Sequence, residues 1–542
     1  MEKSNSADLF KFLLVVFGLL AASAILSGGV YISGHEGDSF HLLEIVFRMA
    51  DGEWPHLDFL TPIGALAFAP IVLFVEMGFG VGESILFAQV LVAAILLPAA
   101  WWAATTRLEG IWPYLFGAAV LILALALVHG ETNRSASTSM HYNRWAWALS
   151  YIVVLVAVLP QRFFRANATV DGVIIGLGMA VLALTKMTYF VAFAVPVAAA
   201  LIQRKAWREL TTAALAGLAV FVVVTLFAGL DYWLAYMSDL LRVTQTEVRA
   251  YPGQAFVSVA GAPAYIAGTA ALFGGVIFLR QAGEMRSGLL LFLLAPAFIF
   301  VTYQNFGNDP QWLVLLGILL FAMLPEAGIT NSAGWDMRRA ISYAAVAALA
   351  LEAGSFVNLA YSPVRHMAAD RSGYLPVLPD ATVHSDYQSV DIRVARLDAR
   401  IAMEEQFDGL ERWTEAGDRE DPTVFQDEKI RYCTVELGLS AWFDLITKDL
   451  EANGFAQGKR IFAADLFSSF WLFGDTERLV GGAPWYYGGL SGYDSADYLL
   501  VPICPVADDI RHMILEEVTE RGETLEEVHR HSLYILYATG RG

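Results

Sequence analysis

The chain has 542 residues, of which 56% are hydrophobic and only 16% are charged, and its formal net charge at pH 7 is −19. Apolar runs of about 18 or more residues recur before residue 361, and runs of that length span membranes. The composition indicates a polytopic membrane protein and excludes an ordinary soluble enzyme. The negative charge also argues against a nucleic-acid partner, because affinity for nucleic acid depends on neutralising phosphates.

The first apolar segment, residues 11–32, is predicted to be an uncleaved span, although it resembles a secretory signal peptide. It leads into residues 34–62, which contain six carboxylates and three histidines. Carboxylates this close to a bilayer are costly unless they serve a site at its surface. Apolar residues at helical spacing predict an amphipathic helix over 39–50, lying along the membrane interface. Asp38 precedes this helix and is either its N-cap or a site residue.

Ten further spans are predicted, at 84–104, 112–129, 145–160, 171–184, 188–202, 211–230, 257–279, 287–303, 311–326 and 340–360. Segment 63–80 is apolar too, but it is interrupted by Pro70 and Glu76 and followed by glycines. If it does not cross, the basic loops all fall on one side, as the bias of Lys and Arg towards cytoplasmic loops requires. We therefore predict a re-entrant or interfacial helix there, about eleven crossings and a cytoplasmic N-terminus.

This topology places residues 34–62, 130–144, 231–256 and 303–310 on the outer face, together with the hairpin around Lys186. The outer loops are polar and aromatic, whereas the inner loops are short and basic. The chain is therefore predicted to act on ligands at the outer face.

The hydropathy ends near Tyr361, which predicts a transmembrane domain over 1–362 and a second domain over 363–542. Residues 365–542 contain 17 Lys and Arg against 32 Asp and Glu, a net charge of −15. Predicted strands at 460–466, 497–504 and 532–539 alternate with helices at 436–452 and 506–522, which favours a small α/β domain. Residues 365–430 are predicted to be partly helical.

Two features of this second domain have alternative interpretations. On the outer face Cys433 and Cys504 could form a disulfide, whereas in a reducing compartment they would be buried thiols. The loop over 481–494 is rich in glycine and aromatic residues. It could contact a glycan, because aromatic faces with polar tips suit carbohydrate, or it could simply pack over the membrane domain.

Together these patterns resemble the GT-C superfamily, whose members are multi-pass membrane glycosyltransferases such as protein O-mannosyltransferases and lipid A aminoarabinose transferases. The matching residues are Asp38, Ala50-Asp51-Gly52, Pro55, Asp58-Phe59 and Pro62, and then the glycine-rich span from Gly176 to Lys186. The resemblance covers about residues 1–360. It implies a GT-C-like helical bundle that transfers a sugar from a polyprenyl-phosphate donor on the outer face.

The resemblance implies roles for particular residues, each with a structural alternative. Asp38 would be the catalytic base and Lys186 would bind the donor phosphate, the alternative for Lys186 being a lysine that only reaches from a turn to water. His141 and Arg144 would contact phosphate or sugar, or else anchor a span at the interface. The remaining substrate-binding candidates are Glu36, Asp58, Tyr303 and Asn305. Some relatives depend on a divalent metal and others do not, so metal dependence stays open.

The sequence therefore predicts an inner-membrane glycosyltransferase with its C-terminal domain in the periplasm. Its partners would be a polyprenyl-phosphate sugar, membrane lipids, and a lipid, glycan or protein acceptor. The alternative is a non-catalytic transporter of lipid-linked glycans or a membrane scaffold. A transporter is expected to show broken helices in corresponding halves of the chain, and no such internal repeat is evident.

Overall fold

A computed structural model of the protein describes residues 6–163, 167–246, 248, 255–305, 309–401 and 422–541. The helices before the C-terminal domain are α1 (Ser6–Leu26), α2 (Glu36–Ala50), α3 (Ala69–Glu76), α4 (Val81–Arg107), α5 (Trp112–Leu125), α6 (His141–Val158), α7 (Ala168–Thr185), α8 (Met187–Gln203), α9 (Trp207–Ala228), α10 (Asp231–Gln245), α11 (Phe256–Gly261), α12 (Pro263–Gln281), α13 (Met285–Gln304), α14 (Trp312–Ala322) and α15 (Met337–Met367). The structure is therefore mostly helical.

Helices lie at all eleven positions where spans were predicted, and among the described residues seven are long and apolar enough to cross a membrane. These seven are α1, α4, α7, α9, α12, α13 and α15, while α5, α8 and α14 are shorter apolar helices. Segment 63–80 contains one 3₁₀ turn (Ala65–Ala67) and the eight-residue helix α3. At about 1.5 Å per residue, α3 is much shorter than the hydrocarbon core of about 30 Å. This length fits the predicted re-entrant or interfacial helix.

Helix α2 differs from its prediction in two ways. It begins at Glu36 rather than at residue 39, and its N-cap residue is His35, which makes no capping hydrogen bond through its side chain. The interpretation of Asp38 as an N-cap is therefore wrong. The helix is also covered on most sides, because Phe40 packs on Phe443 and Phe473 of the C-terminal domain. Apolar side chains of the C-terminal domain thus cover the face of α2 that the sequence predicts to lie in the membrane interface.

The C-terminal region contains small sheets together with helices. Its elements are β2 (Tyr374–Pro376), β3 (Tyr387–Val390), α16 (Asp391–Val394), β4 (Asp398–Ile401), β5 (Val424–Phe425), β6 (Glu428–Lys429), β7 (Cys433–Leu437), α17 (Leu439–Ala452), β8 (Ile461–Ala463), β9 (Tyr498–Pro502), α18 (Asp508–Glu520), β10 (Glu526–Arg530) and β11 (Tyr534–Ala538). The largest sheet has the order β10-β11-β9-β8, with β8 parallel to β9 and the other pairs antiparallel.

Each strand and helix predicted in this domain has a counterpart at nearly the same residues, whereas β7 and β10 were not predicted. Residues 365–430 contain less helix than expected, since the described part beyond α15 has only the single turn α16 and short strands. A disulfide joins Cys433 to Cys504. It ties β7 to the loop that follows β9.

The two regions are joined through a sheet and an ion network. Strand β1 (Val30–Ile32), which follows the first span, pairs in parallel with β3 of the C-terminal region. Arg48 of α2 is 2% exposed and bonds Glu44 at 3.1 Å, Glu53 at 2.9 Å and the backbone oxygen of Leu479 at 3.3 Å. Arg478 extends the network to Asp51 and Glu53. Asp51, part of the sequence motif, therefore helps to dock the C-terminal domain.

Replacing Glu44 with alanine is expected to destabilise the protein. Arg48 would lose the partner with which it shares a buried site, and removing one member of such a pair typically costs about 3–5 kcal/mol. Because Glu53 remains beside Arg48, we expect the lower end of this range. Thermal unfolding of the full chain in detergent provides the measurement.

The matched control is Glu436→Ala, which breaks the exposed pair that Glu436 forms with Arg400. An exposed pair contributes about 0–1 kcal/mol, so this variant should unfold close to the wild type. Equal unfolding temperatures for the two variants would contradict a structural role for the Arg48 network.

Candidate functional site

Asp38 lies in the first turn of α2, three residues before His41. Residues three apart in a helix point to the same side, so the two side chains face one cavity. The Asp38 side chain is 29% exposed, and its Oδ2 lies 3.9 Å from Nδ1 of His35. The Asp38 carboxylate is therefore accessible in the first turn of α2 and does not cap the helix.

The cavity has a volume of about 170 Å³ and is lined by residues from seven parts of the chain. Asp38 and His41 come from α2, Lys186 from the break between α7 and α8, and Trp485 and Tyr487 from the C-terminal domain. The other lining residues are Pro62, Ile63, Met140, Tyr142, Met187, Thr188, Leu240, Val243, Thr244 and Gln304. The structure thus brings together the two residues predicted to be most important, Asp38 and Lys186.

Neighbouring side chains orient the ammonium group of Lys186. Its Nζ donates to Oδ1 of Asn143 at 3.0 Å and to Oδ1 of Asn305, and it lies 5.3 Å from the ring centre of Tyr142. Asn305 is 2% exposed and donates in turn to the hydroxyl of Tyr189 and the backbone oxygen of Val301. Asn305 therefore positions Lys186 instead of lining the cavity itself.

Two glycines set the location of this lysine. Lys186 is extended between the end of α7 and the start of α8, so the chain breaks its helix at this residue. A Cβ on Gly64 would lie 2.0 Å from the backbone oxygen of Leu184, and one on Gly176 would lie 2.2 Å from that of Ala213. The absence of a side chain lets the segment before α3 approach the end of α7 and lets α7 pack closely on α9.

The aromatic loop after residue 481 closes one side of the cavity. The Tyr487 hydroxyl and Nε2 of His41 are 2.9 Å apart, and the His41 and Trp485 rings meet edge to face with centres 6.0 Å apart. Trp485 also packs on Phe467. The loop packs on α2 of the membrane domain, as one of its two interpretations predicted, and this packing places two aromatic side chains at the cavity.

An apolar groove lies close to the cavity. It has a volume of about 530 Å³, lies between α7, α8 and α9, and is lined by apolar residues and glycines. Its lining includes Gly176 and Leu184, and Leu184 is two residues before Lys186. An apolar chain lying in this groove would end near the ammonium group.

Glu36 lies outside the cavity lining and contacts the C-terminal domain. Its carboxylate pairs with Arg393 at 3.5 Å and accepts a hydrogen bond from the backbone N–H of Leu439 at 3.2 Å. Burial raises the pKa of Glu36, while the Leu439 N–H and Arg393 act in the opposite direction. These contacts make Glu36 a link between α2 and α17.

His141 and Arg144 are buried and face the surrounding loops rather than the cavity. Nε2 of His141 lies 2.8 Å from the backbone oxygen of Ala67. Arg144 donates to the backbone oxygen of Ser137 at 3.3 Å and contacts Nδ1 of His129 at 3.5 Å. His141 therefore contacts the segment before α3 and Arg144 holds the loop before α6, and neither is among the lining residues.

Asp58 and Tyr303 also lie elsewhere. Asp58 is exposed, and its Oδ2 accepts a hydrogen bond from the Trp54 N–H at 2.6 Å, which closes a turn. Tyr303 lines a separate cavity of about 430 Å³ and packs edge to face on Phe256. The neighbouring Gln304 is the residue of this loop that lines the cavity with Asp38.

Sequence reasoning missed His41, Tyr142 and Asn143 as site residues. His41 could have been found, because its spacing of three from Asp38 puts both on one helix face. Tyr142 and Asn143 follow His141 directly, but which of them turns towards Lys186 depends on the rotation of α6 against α7. In the described ranges, no group of three or more His, Cys, Asp and Glu side chains is arranged to hold a metal ion.

Comparison with known proteins gives no further assignment. No protein-family model matches the chain, and no curated protein and no solved structure is detectably similar to it. The geometry of this cavity and its neighbouring grooves is therefore the basis for assigning a function.

Proposed function

We propose that this protein is a membrane glycosyltransferase of the GT-C type that transfers a sugar from a polyprenyl-phosphate donor to an acceptor on the periplasmic face of the inner membrane. The observation that carries the proposal is the shared cavity of Asp38 and Lys186, a carboxylate and a cation from distant parts of the chain. Glycosyl transfer from a lipid phosphate requires both groups within reach of one sugar.

In the proposed reaction, an acceptor hydroxyl attacks the anomeric carbon of the donor sugar. Asp38 takes the hydroxyl proton as the new bond to carbon forms. The bond between the anomeric carbon and the phosphate oxygen breaks, and the phosphate leaves with the electron pair. Lys186 stabilises the charge on the departing phosphate, and Asn143 and Asn305 hold its ammonium group in place.

The apolar groove between α7, α8 and α9 supports a lipid-linked donor. Its volume of about 530 Å³ suits part of an isoprenoid chain, and its lining extends to Leu184, two residues before Lys186, so a lipid in it would bring its phosphate towards the ammonium group. A phosphate head group carries the opposite charge to a lysine ammonium group and can pair with it at the membrane surface.

The disulfide between Cys433 and Cys504 supports the proposed orientation. Disulfides persist in oxidising compartments such as the periplasm and are rare in the cytosol. Because the same domain contributes Trp485 and Tyr487 to the cavity, the cavity would open on the periplasmic side.

Asp38→Asn is expected to lower kcat for sugar transfer by about 10²–10⁴-fold, which is the usual contribution of a general base. Transfer would be measured with the full chain in nanodiscs and a panel of polyprenyl-phosphate sugars. Asp380→Asn, an exposed carboxylate of the C-terminal domain, makes the same chemical change outside the cavity and should retain activity. Equal transfer by wild type and Asp38→Asn would remove Asp38 from catalysis. Binding of a donor without transfer would favour the transporter.

Asn305→Ala is expected to raise KM for the donor about 10- to 100-fold with a smaller change in kcat. The substitution removes one acceptor from the Lys186 ammonium group, and a hydrogen bond to a charged group contributes about 1.5–3 kcal/mol. A double-mutant cycle tests whether Asn305 acts through the lysine. Adding Asn305→Ala to Lys186→Met should cost little more than Lys186→Met alone, whereas additive losses would mean that Asn305 has a separate role.

Alkaline phosphatase fused after Gly542 should be active in cells, because that enzyme becomes active only outside the cytoplasm. A fusion in the loop after α8, at Lys205, is the matched control and should be inactive. The reverse pattern would overturn the proposed orientation, and with it the periplasmic location of the cavity.

A further inference from the structure

A second groove lies beside the cavity on the side of the C-terminal domain. Its volume is about 370 Å³, within the range of sites that hold small ligands. It is bounded by the end of α10, by the loop containing Tyr486 to Gly489, and by one face of α18. The remaining described lining residues are Arg242, Gln245, Thr246, Val248, Met513, Glu516, Glu517 and Glu520.

Tyr487 connects this groove to the cavity, because it lines both. Its hydroxyl contacts His41, which lies on the same helix face as Asp38. A ligand lying in the groove could therefore reach past Tyr487 towards the Asp38 carboxylate. This groove is lined largely by the C-terminal domain, whereas the apolar groove lies among the membrane helices.

Bare backbone and polar side chains form much of the groove surface. Gly488 and Gly489 both have positive φ, at 88° and 74°, a conformation that glycine adopts without strain. Their lack of side chains leaves backbone groups at the groove. The Tyr486 hydroxyl lies 3.3 Å from Oε1 of Glu517, so this carboxylate is oriented by a neighbour. Backbone groups, carboxylates and amides can bond the many hydroxyls of a sugar.

The charged side chains of the groove disfavour anionic ligands relative to ligands without negative charge. Its described lining carries three carboxylates, Glu516, Glu517 and Glu520, against one guanidinium, that of Arg242. The spacing of these glutamates puts them on one face of α18. The domain around them is also strongly acidic, which repels anions approaching from solution. An acceptor bearing phosphates or carboxylates would meet like charge here.

We propose that this groove binds the acceptor, and that the acceptor is a carbohydrate chain without negative charge. The proposal rests on the proposed glycosyl transfer and deepens it by naming the acceptor class. The acceptor lies along α18 and the glycine loop, and its terminal hydroxyl passes Tyr487 to reach Asp38. The anionic donor and the acceptor thus reach the cavity through different grooves.

The test measures binding of four probes to the full chain in nanodiscs without donor. The probes are cellotetraose, a chitosan tetrasaccharide, tetragalacturonate and an uncharged peptide rich in serine and threonine. The wild type should bind one or both of the first two at least tenfold more tightly than tetragalacturonate and the peptide. The double variant Glu516→Lys/Glu520→Lys should lose that preference and bind tetragalacturonate more tightly than the wild type does.

The matched control is Asp509→Lys/Glu526→Lys, which makes the same change of net charge at exposed residues outside the groove lining. It should keep the wild-type order of affinities. Tighter binding of tetragalacturonate or of the peptide by the wild type, no binding of either uncharged or amino oligosaccharide, or an equal shift in the control would each overturn the proposal. Since no donor is present, these outcomes are independent of whether Asp38 catalyses transfer.

Discussion

The contact between α2 and the C-terminal domain fixes the geometry of the cavity. Arg48 and Glu44 form a buried pair on α2, and Arg48 also bonds the backbone of Leu479, just before the aromatic loop. Buried pairs tolerate little displacement, because a separated charge remains desolvated without compensation. The same helix carries Asp38 and His41, and the same loop carries Trp485 and Tyr487. One ion network therefore sets the distance between the two walls of the cavity.

The third wall depends on close approach between helices rather than on charge. Lys186 can stand at a break between α7 and α8 because Gly64 and Gly176 allow neighbouring backbone to reach van der Waals contact. The Lys186 ammonium group at this break is held by Asn143 of α6 and by Asn305 at the end of α13. Small residues at such crossings are how membrane helices approach each other closely. The glycines thus have a structural role that a motif alone would not distinguish from a catalytic one.

Local sequence patterns predicted the positions of the helices and strands well, but not the tertiary contacts of individual side chains. Hydropathy located the helices, and the prolines and glycines of segment 63–80 pointed to the short helix α3 that the structure has there. Asp38 and Lys186 could be singled out because both are charged residues next to apolar segments. The roles of Glu36, His141 and Arg144 could not be anticipated, because each depends on a tertiary partner, such as Arg393, Ala67 or Ser137, that is distant or arbitrary in sequence.

The sequence also misassigned the apolar face of α2, for a physical reason. A bilayer and a folded domain offer the same apolar environment to Phe40, so the hydrophobic pattern of a helix cannot distinguish them. The distinction comes from Phe443 and Phe473, whose contact with α2 requires the C-terminal domain to fold back on the membrane domain. That arrangement places an acidic, polar surface directly beside a cavity that contains Lys186. The glutamates of the C-terminal domain and Lys186 of the membrane domain carry opposite charges because they come from different domains. This difference is what would allow one cavity to receive two chemically different substrates.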